Sequence, residues 1–176
     1  APCDVTDGQA VQQTAAAIEA EFGSIDVLVC NAGTNVRHRA LDVLTPEDWD
    51  LMIQTNLTGP FHLVRAILPG MRARKDGLVV QIFSLSGYRA STLGGAGYSA
   101  SKFGQAALGL CLGREAREDG IRSTVIYPGE VNTPILEARP VPVPAERKLA
   151  MLQPEDVAAA VKFLVELNPR ARVPEL

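Results

Sequence analysis

The run Ile25–Cys30 is almost entirely apolar, which is the pattern of a strand buried on both faces of a parallel sheet. Leu78–Phe83 and Ser123–Tyr127 have a similar strand-like composition. Segments with helical patterns separate and flank these runs, over residues 7–22, from Thr45 onward, over 96–118 and over 154–167. Strands that alternate with helices predict an α/β fold, a doubly wound parallel sheet with right-handed crossovers.

The helix boundaries carry their own signals. Asp7 is a candidate N-cap for the first helix, and Gly23 is a natural stop. Thr45 is a candidate cap for the second helix, with Pro46 at its first position. The third helix has the apolar spacing of a helix that packs one face against a core, formed by Phe103, Ala106, Ala107, Leu110 and Cys111.

Composition narrows the class of protein. With 47% apolar and 21% charged residues, residues 1–176 are expected to form one soluble domain, and a net charge of −3 gives no reason to expect nucleic acid. The apolar runs are shorter than the ~18 residues of a membrane span. Cys3, Cys30 and Cys111 lack metal-ligand spacing and suit reduced thiols in the cytoplasm. His38 and His62 also lack partners at useful spacing, so no metal site is expected.

Tyr98 and Lys102 are the pair that points most directly to chemistry. They are four residues apart in a predicted helix, which places them on one face, one turn from each other. An ammonium beside a phenol favours the phenolate and lowers a pKa that is otherwise about 10. The spacing therefore predicts a phenol that can donate and accept a proton near neutral pH.

Four further motifs accompany this pair. The sequence contains, in order, Cys30-Asn31-Ala32-Gly33, Thr55-Asn56-Leu57-Thr58-Gly59, the strand-like run Leu78–Phe83 ending in Ser84 and Ser86, Tyr98-Ser99-Ala100-Ser101-Lys102, and Pro128-Gly129-Glu130-Val131-Asn132-Thr133. In that order they resemble the short-chain dehydrogenase/reductase family over nearly the whole chain. The resemblance implies an oxidoreductase that transfers a hydride between NAD or NADP and a small hydroxyl or carbonyl substrate.

The resemblance also assigns catalytic roles. It implies that Tyr98 is the general acid/base and that Lys102 binds the nicotinamide ribose and lowers the pKa of Tyr98. Ser84 is expected to hydrogen-bond the reacting carbonyl oxygen. Ser86 competes for this role: Ser84 stands three residues before Gly87, as in the family's pattern, but the loop to Tyr98 is one residue longer than the commonest form.

Three segments are expected to contact the cofactor. By resemblance, Asn31, Ala32 and Gly33 border its adenosine side, and Asp4 with Val5 contacts the adenine. The segment after the third strand is expected to hold the nicotinamide carboxamide, through Pro128, Gly129, Val131 and Thr133. The alternative for these motifs is ordinary turn chemistry, in which Asn bridges backbone groups and Gly permits a sharp bend.

Asn56 is the polar member of an otherwise apolar helical stripe with Trp49, Met52, Ile53 and Leu57. A buried Asn needs partners, and it can find them within the core. Pro60 has no N–H, so the Asn56 carbonyl loses its helical donor and the helix is expected to kink. By resemblance, this carbonyl is expected to point towards Lys102 and hold a water between them.

The beginning of the family's fold has no counterpart in this sequence. A dinucleotide site starts with a strand, a glycine-rich turn and a helix, whereas Gly94-Gly95-Ala96-Gly97 belongs to the catalytic loop and Ala1–Asp7 resembles the end of the third strand. Roughly 60 residues are thus expected to be missing, which makes 1–176 a partial Rossmann-like domain. Two alternatives stay open: a non-catalytic remnant without cofactor binding, and a nucleotide-sugar epimerase or dehydratase.

Surface features suggest partners. Arg37, His38, Arg39, Arg89 and Arg139 lie on loops expected around the substrate mouth, where they either favour an anionic substrate or form a solvated rim, and the rim is the preferred interpretation. The resemblance implies a homodimer or homotetramer, paired through the helices that begin near Pro46 and Ala96. The helix glycines Gly104, Gly109 and Gly113 are expected to let another backbone approach.

Overall fold

A parallel sheet organises the molecule. The computed structural model describes residues 2–176, and within them β1 (Val27–Cys30), β2 (Gly77–Ile82) and β3 (Ile121–Ile126) pair in the order β1-β2-β3. Both pairings are parallel, with Val29 opposite Val80 and Val80 opposite Thr124. The doubly wound parallel sheet that the sequence predicts is confirmed.

The last residues extend this sheet beyond β3. The Val125 amide donates to the Pro174 carbonyl at 2.9 Å, and the Leu176 amide returns a bond of 2.9 Å to the Val125 carbonyl. The Tyr127 amide then donates to the Leu176 carbonyl at 2.8 Å. The segment around Glu175 therefore pairs with β3 in parallel.

Helices cover both faces of the sheet, as a doubly wound fold requires. In residues 2–176 they are α1 (Gly8–Phe22), α2 (Pro46–Ile53), α3 (Gly59–Arg74), α4 (Ala96–Glu115), α5 (Ala145–Leu149) and α6 (Pro154–Glu166). One core packs Ala15 of α1 and Ile67 of α3 against Val79 of β2, and the opposite core packs Leu164 of α6 against Val80. None of these described helices combines the length and apolarity that crossing a bilayer would require.

The predicted helix ends are confirmed. Asp7 caps α1 by accepting hydrogen bonds from the amides of Gln9 and Ala10 at 2.9 and 3.1 Å, and Gly23 ends it with φ of 85°. The Thr45 hydroxyl accepts from the Asp48 amide at 3.1 Å, which caps α2. Each cap satisfies a backbone amide that the first helical turn leaves free.

The expectation that Ile25–Cys30 is buried on both faces is wrong for one face. Leu28 and Cys30 are buried, whereas Val27 is 37% and Val29 is 39% exposed. The exposed pair lies on the α6 side of the sheet, where α6 packs over β2 and β3 but leaves β1, an edge strand among the described residues, uncovered. An apolar run alone cannot report which neighbours cover a strand.

The predicted apolar face of α4 is right for Ala106, which is buried, and for Leu110, which packs beside it, but wrong for the other three residues. Phe103 is 44% exposed and Cys111 is exposed, whereas the polar residues Ser101, Lys102 and Gln105 are buried. The helix turns its polar side towards β2 and the end of the sheet, because Lys102 donates hydrogen bonds there to the Ile82 carbonyl of β2 and to Gln105.

The α4 glycines make close contacts within the chain, and the intermolecular approach expected of them stays a prediction. A Cβ on Gly104 would lie 2.8 Å from the Leu57 side chain, and one on Gly109 would lie 2.8 Å from the Val125 side chain. Gly113 similarly faces Ser123 of β3. These glycines bring α4 close to the sheet and to the helix before it.

Gly120 and Gly23 form a matched pair for testing backbone constraints. Both have positive φ, 82° and 85°, but a Cβ on Gly120 would strike the Lys75 carbonyl, with its carbon at 2.9 Å, whereas Gly23 faces open space. Gly23→Ala is expected to cost about 1–2 kcal/mol for the backbone conformation alone. Gly120→Ala should cost at least about 3 kcal/mol, because the clash is with backbone that must move. Urea denaturation measures both, and equal losses would contradict this packing.

Candidate active site

A cavity of about 950 Å³ opens at the carboxyl ends of the strands. Open α/β sheets place their ligands at this edge, because the loops after successive strands converge there. The cavity is lined by residues from the loops after β1, β2 and β3 and by the first turns of α4. Among them are these predicted site residues: Asn31, Gly33, Ser84, Tyr98, Lys102, Pro128, Gly129, Val131 and Thr133.

Tyr98 stands in the first turn of α4, at the wall of this cavity. Burial raises the pKa of its phenol, while the Ser84 hydroxyl and the positive charge of Arg39 act in the opposite direction. The sequence and the family resemblance predict that Lys102 lowers the pKa of Tyr98. In the structure the net shift is upward, because desolvation of the phenolate dominates and Lys102 directs its ammonium to other partners.

Lys102 is only 3% exposed, although it carries an ammonium. Its Nζ donates to the Ile82 carbonyl at 3.3 Å and to Gln105 Oε1 at 3.0 Å, and it lies 5.7 Å from the centre of the Tyr98 ring. Burial lowers the pKa of Lys102 to about 8. The residue can therefore change its charge close to neutral pH.

Gln105 is a site residue that the sequence analysis missed. It is fully buried, and its Oε1 accepts the Lys102 hydrogen bond. Within residues 2–176 its Nε2 has no hydrogen-bond partner, and neither amide atom of the neighbouring buried Gln81 has one. The available signal was its position three residues after Lys102, which puts both on one helix face.

Ser84 and Ser86 both line the cavity but differ in their surroundings. Ser84 precedes a short 3₁₀ turn, Leu85–Gly87, and its Oγ accepts from the Ser86 amide at 3.1 Å. The Ser84 hydroxyl acts on the pKa of Tyr98, whereas Ser86 Oγ is directed towards Gly94. The sequence leaves Ser84 and Ser86 as alternatives for the hydroxyl that binds the carbonyl oxygen. In the structure Ser84 acts on Tyr98 and Ser86 lies beside Gly94.

Asn56 is completely buried and ties the loop after β1 to the helices. Its Oδ1 accepts from the Thr34 amide at 2.7 Å, and its Nδ2 donates to the Thr34 carbonyl at 2.9 Å and to Ser101 Oγ at 3.0 Å. The helix is interrupted here by a π-helical turn, Gln54–Thr58, two residues before Pro60. A π turn is a recognised source of helix distortion. The direction of the Asn56 carbonyl towards Lys102 stays a prediction.

Gly33 leaves space between the two polar groups of the site. A Cβ placed on it would lie 3.5 Å from both Asn56 Oδ1 and Lys102 Nζ. A Cβ there would be in ordinary van der Waals contact with both groups. Lys102 and Gly33 line the cavity, so a polar ligand at this point would meet the Lys102 ammonium as a hydrogen-bond donor.

Three predicted cofactor residues are not among those that line the cavity. Asp4 accepts hydrogen bonds from the Thr6 amide and hydroxyl at 2.9 and 2.8 Å, and these lower the pKa of its carboxyl. Val5 packs against Gly59, and its carbonyl lies 3.2 Å from His62 Nδ1. Ala32 is the third residue that does not line the cavity, although Asn31 and Gly33 on either side of it do.

The preferred interpretation of the basic residues as a solvated rim is correct for Arg37, His38 and Arg89, which are exposed. It is wrong for Arg39, which is 6% exposed. This guanidinium is buried because it donates to the carbonyls of Leu93 and Ala138, on two other loops of the cavity wall.

Comparison with known proteins agrees with this geometry. The family model for short chain dehydrogenases matches residues 1–141. The chain belongs to the short-chain dehydrogenase family. Acetoacetyl-CoA reductase of Rhizobium meliloti (strain 1021) is 37% identical to this chain over 167 residues. The aligned residues cover 92% of the chain and 68% of the reductase.

Solved structures of other short-chain dehydrogenases superpose closely. An alcohol dehydrogenase from the archaeon Thermococcus sibiricus, complexed with 5-hydroxy-NADP, is 30% identical, with a TM-score of 0.86 over 99% of this chain and 71% of that one. Serine dehydrogenase from Escherichia coli is 31% identical, with a TM-score of 0.85 over 100% of this chain and 73% of that one. The sequence resemblance to the family is thereby confirmed.

The burial of Lys102 predicts an unusual titration. The four lysines are Lys75, Lys102, Lys148 and Lys162, and their Cε signals can be followed by NMR as pH rises. One signal should titrate at a pKa of about 8, because burial favours the neutral amine, and it should be absent in Lys102→Gln. If every lysine signal titrates above about pH 10, as in unperturbed lysine, Lys102 is not buried as described.

Proposed function

We propose that this protein is an NAD(P)-dependent oxidoreductase that acts on a small hydroxyl or carbonyl substrate. The observation that carries the proposal is the meeting of Ser84, Tyr98 and Lys102 at one cavity, at the sheet edge where parallel α/β folds bind ligands. Membership of the short-chain dehydrogenase family supports it. We expect the cofactor to be NAD or NADP, and the neighbouring structure with 5-hydroxy-NADP shows that related proteins bind a nucleotide of this class.

The residues of the chain are proposed to transfer a proton to or from the substrate oxygen, while the cofactor exchanges a hydride with the substrate carbon. The cofactor supplies the hydride that reaches the carbonyl carbon in reduction, or accepts it from the carbinol carbon in oxidation. In reduction Tyr98 gives its phenolic proton to the carbonyl oxygen, and in oxidation its phenolate takes the hydroxyl proton. Ser84 donates a hydrogen bond to the same oxygen, which stabilises the negative charge that develops there.

Lys102 fits the nicotinamide end of a cofactor. It lines the cavity, so a ribose hydroxyl there would find its ammonium as a hydrogen-bond donor. We propose that Lys102 binds that ribose and that the Asn56 carbonyl holds a water beside it.

The remaining cofactor contacts are proposed by loop. The loop after β3 is proposed to hold the carboxamide through Val131 and Thr133, next to Pro128 and Gly129, which line the same cavity. For the adenosine end we propose the loop after β1 and the exposed segment at the start of the chain, which contribute Asn31, Ala32, Asp4 and Val5.

We also propose that residues 1–176 form a single, partial dinucleotide-binding and catalytic domain and that the protein self-associates in the cytoplasm. Three free cysteines suit a reducing compartment. Self-association is supported by apolar side chains that α2 and α4 leave exposed: Trp49 at 37%, Leu51 at 48% and Phe103 at 44%. An exposed apolar cluster of this kind is typical of an interface.

Sedimentation velocity tests the interface. Phe103→Glu places a charge in the exposed α4 surface and is expected to shift the protein to a monomer. Phe22→Glu is the control, because Phe22 is 71% exposed at the far end of α1, and it should leave the assembly intact. A wild-type protein that sediments as a monomer would contradict the interface.

Substitution of the two serines and the tyrosine tests the proposed mechanism. In the full-length enzyme, Tyr98→Phe should abolish turnover but leave cofactor binding largely intact, because only the phenolic hydroxyl is removed. Ser84→Ala should lower kcat by about 10²–10³, the usual cost of removing one donor to a developing oxyanion. Ser86→Ala should change kcat by no more than a few-fold. Steady-state kinetics with NADH and NADPH and fluorescence titration of the cofactor measure these effects, and a larger loss in Ser86→Ala would reverse the assignment.

A further inference from the structure

Arg39 is a buried cation in the cavity wall without a carboxylate partner. It is 6% exposed, its Nη1 donates to the Leu93 carbonyl at 2.9 Å, and its Nη2 donates to the Ala138 carbonyl. A guanidinium has five N–H donors, so two bonds leave most of its donor capacity free. Its Nε is buried and has no hydrogen-bond partner within residues 2–176.

The charges around the cavity do not balance. Arg139, whose side chain is 12% exposed, donates to Glu130 Oε1 at 3.1 Å, and Arg147 donates to both Glu130 oxygens at 3.0 and 2.9 Å. Glu130 is the one carboxylate among the described residues that line the cavity, and these two arginines already share it. Arg39 therefore has no counter-ion of its own.

Two observations place this uncompensated charge close to the reacting end of the cavity. Arg39 and Tyr98 both line the cavity, and the Arg39 side chain packs against Gly95, three residues before Tyr98. Burial lowers the pKa of Arg39, the positive charge of Arg139 lowers it further, and Tyr98 acts in the opposite direction. Buried charges are normally paired, and the natural partner of this one is an anion that enters the cavity.

We propose that Arg39 binds a carboxylate group of the substrate, with Arg139 beside it, so that the substrates are hydroxy acids and their oxo acids. This inference rests on the proposed oxidoreductase function and adds the class of substrate. A planar guanidinium fork matches a carboxylate in two hydrogen bonds, and the N–H groups that Arg39 does not use on Leu93 and Ala138 are available for them. The two backbone carbonyls fix the guanidinium by joining the loops at Leu93 and Ala138, which holds the fork in position.

Matched acids and esters test the carboxylate preference independently of catalysis. Isothermal titration calorimetry with 2-hydroxybutanoate, 3-hydroxybutanoate and 4-hydroxypentanoate, each against its methyl ester, measures binding without turnover. At least one acid is expected to bind about tenfold or more tightly than its ester. Arg39→Gln should bring that ratio close to one, and Arg39→Lys should retain part of it because the charge remains. Arg37→Gln, an exposed arginine of the same loop, is the control and should leave the ratio unchanged.

Steady-state kinetics with the corresponding oxo acids and oxo esters tests the carboxylate site separately from the oxidoreductase function. The acid preference is expected in KM, and Arg39→Gln should raise KM for the acids towards the KM for the esters. Turnover of esters and acids alike would overturn the carboxylate site and leave the oxidoreductase function standing. Arg39-dependent binding of an acid without any turnover would support the carboxylate site and overturn the oxidoreductase function. Equal affinity of every acid and its ester for the wild-type protein overturns the inference, whether or not Arg39→Gln folds.

Discussion

The buried ammonium of Lys102 is the constraint on which the site depends. A charge with 3% exposure requires fixed hydrogen-bond partners, and it has them in the Ile82 carbonyl at the end of β2 and in Gln105 one turn along α4. These bonds require α4 to cross the end of β2 closely. Gly87 permits this approach, because a Cβ there would lie 3.1 Å from the Lys102 carbonyl. The same approach brings Ser84 to Tyr98.

Helix α4 shows how buried polar contacts override the usual amphipathic arrangement. Its buried face carries Ser101, Lys102 and Gln105, while Phe103 and Cys111 face outward. The polar face needs a network of partners, which Asn56 and the β2 backbone provide. The apolar face is left without a cover among residues 2–176, which is the physical reason for proposing an interface there. Departures from local pattern rules are expected at functional sites.

The sequence was sufficient for features that depend on local chemistry. Apolar runs predicted the parallel strands, and Asp7 and Gly23 predicted both ends of α1, because capping uses groups within a few residues. The cavity residues Ser84, Tyr98 and Lys102 followed from motif order and helical spacing.

Features set by distant contacts could not be predicted in this way. Arg39 looks like its neighbours Arg37 and His38 in sequence, and it differs only because carbonyls 54 and 99 residues away bury it. The exposure of Val27 and Val29 likewise depends on how far α6 extends across the sheet.

Deuterium transfer tests the central claim, that this cavity supports hydride transfer with Tyr98 as the proton donor. The protein is incubated with an oxo substrate and NADH or NADPH carrying deuterium at both C4 positions of the nicotinamide, in ordinary water, and the product is analysed by mass spectrometry. The account predicts an alcohol with one deuterium on the carbinol carbon, and none formed by Tyr98→Phe. An unlabelled alcohol, or equal labelled product from Tyr98→Phe, would contradict it.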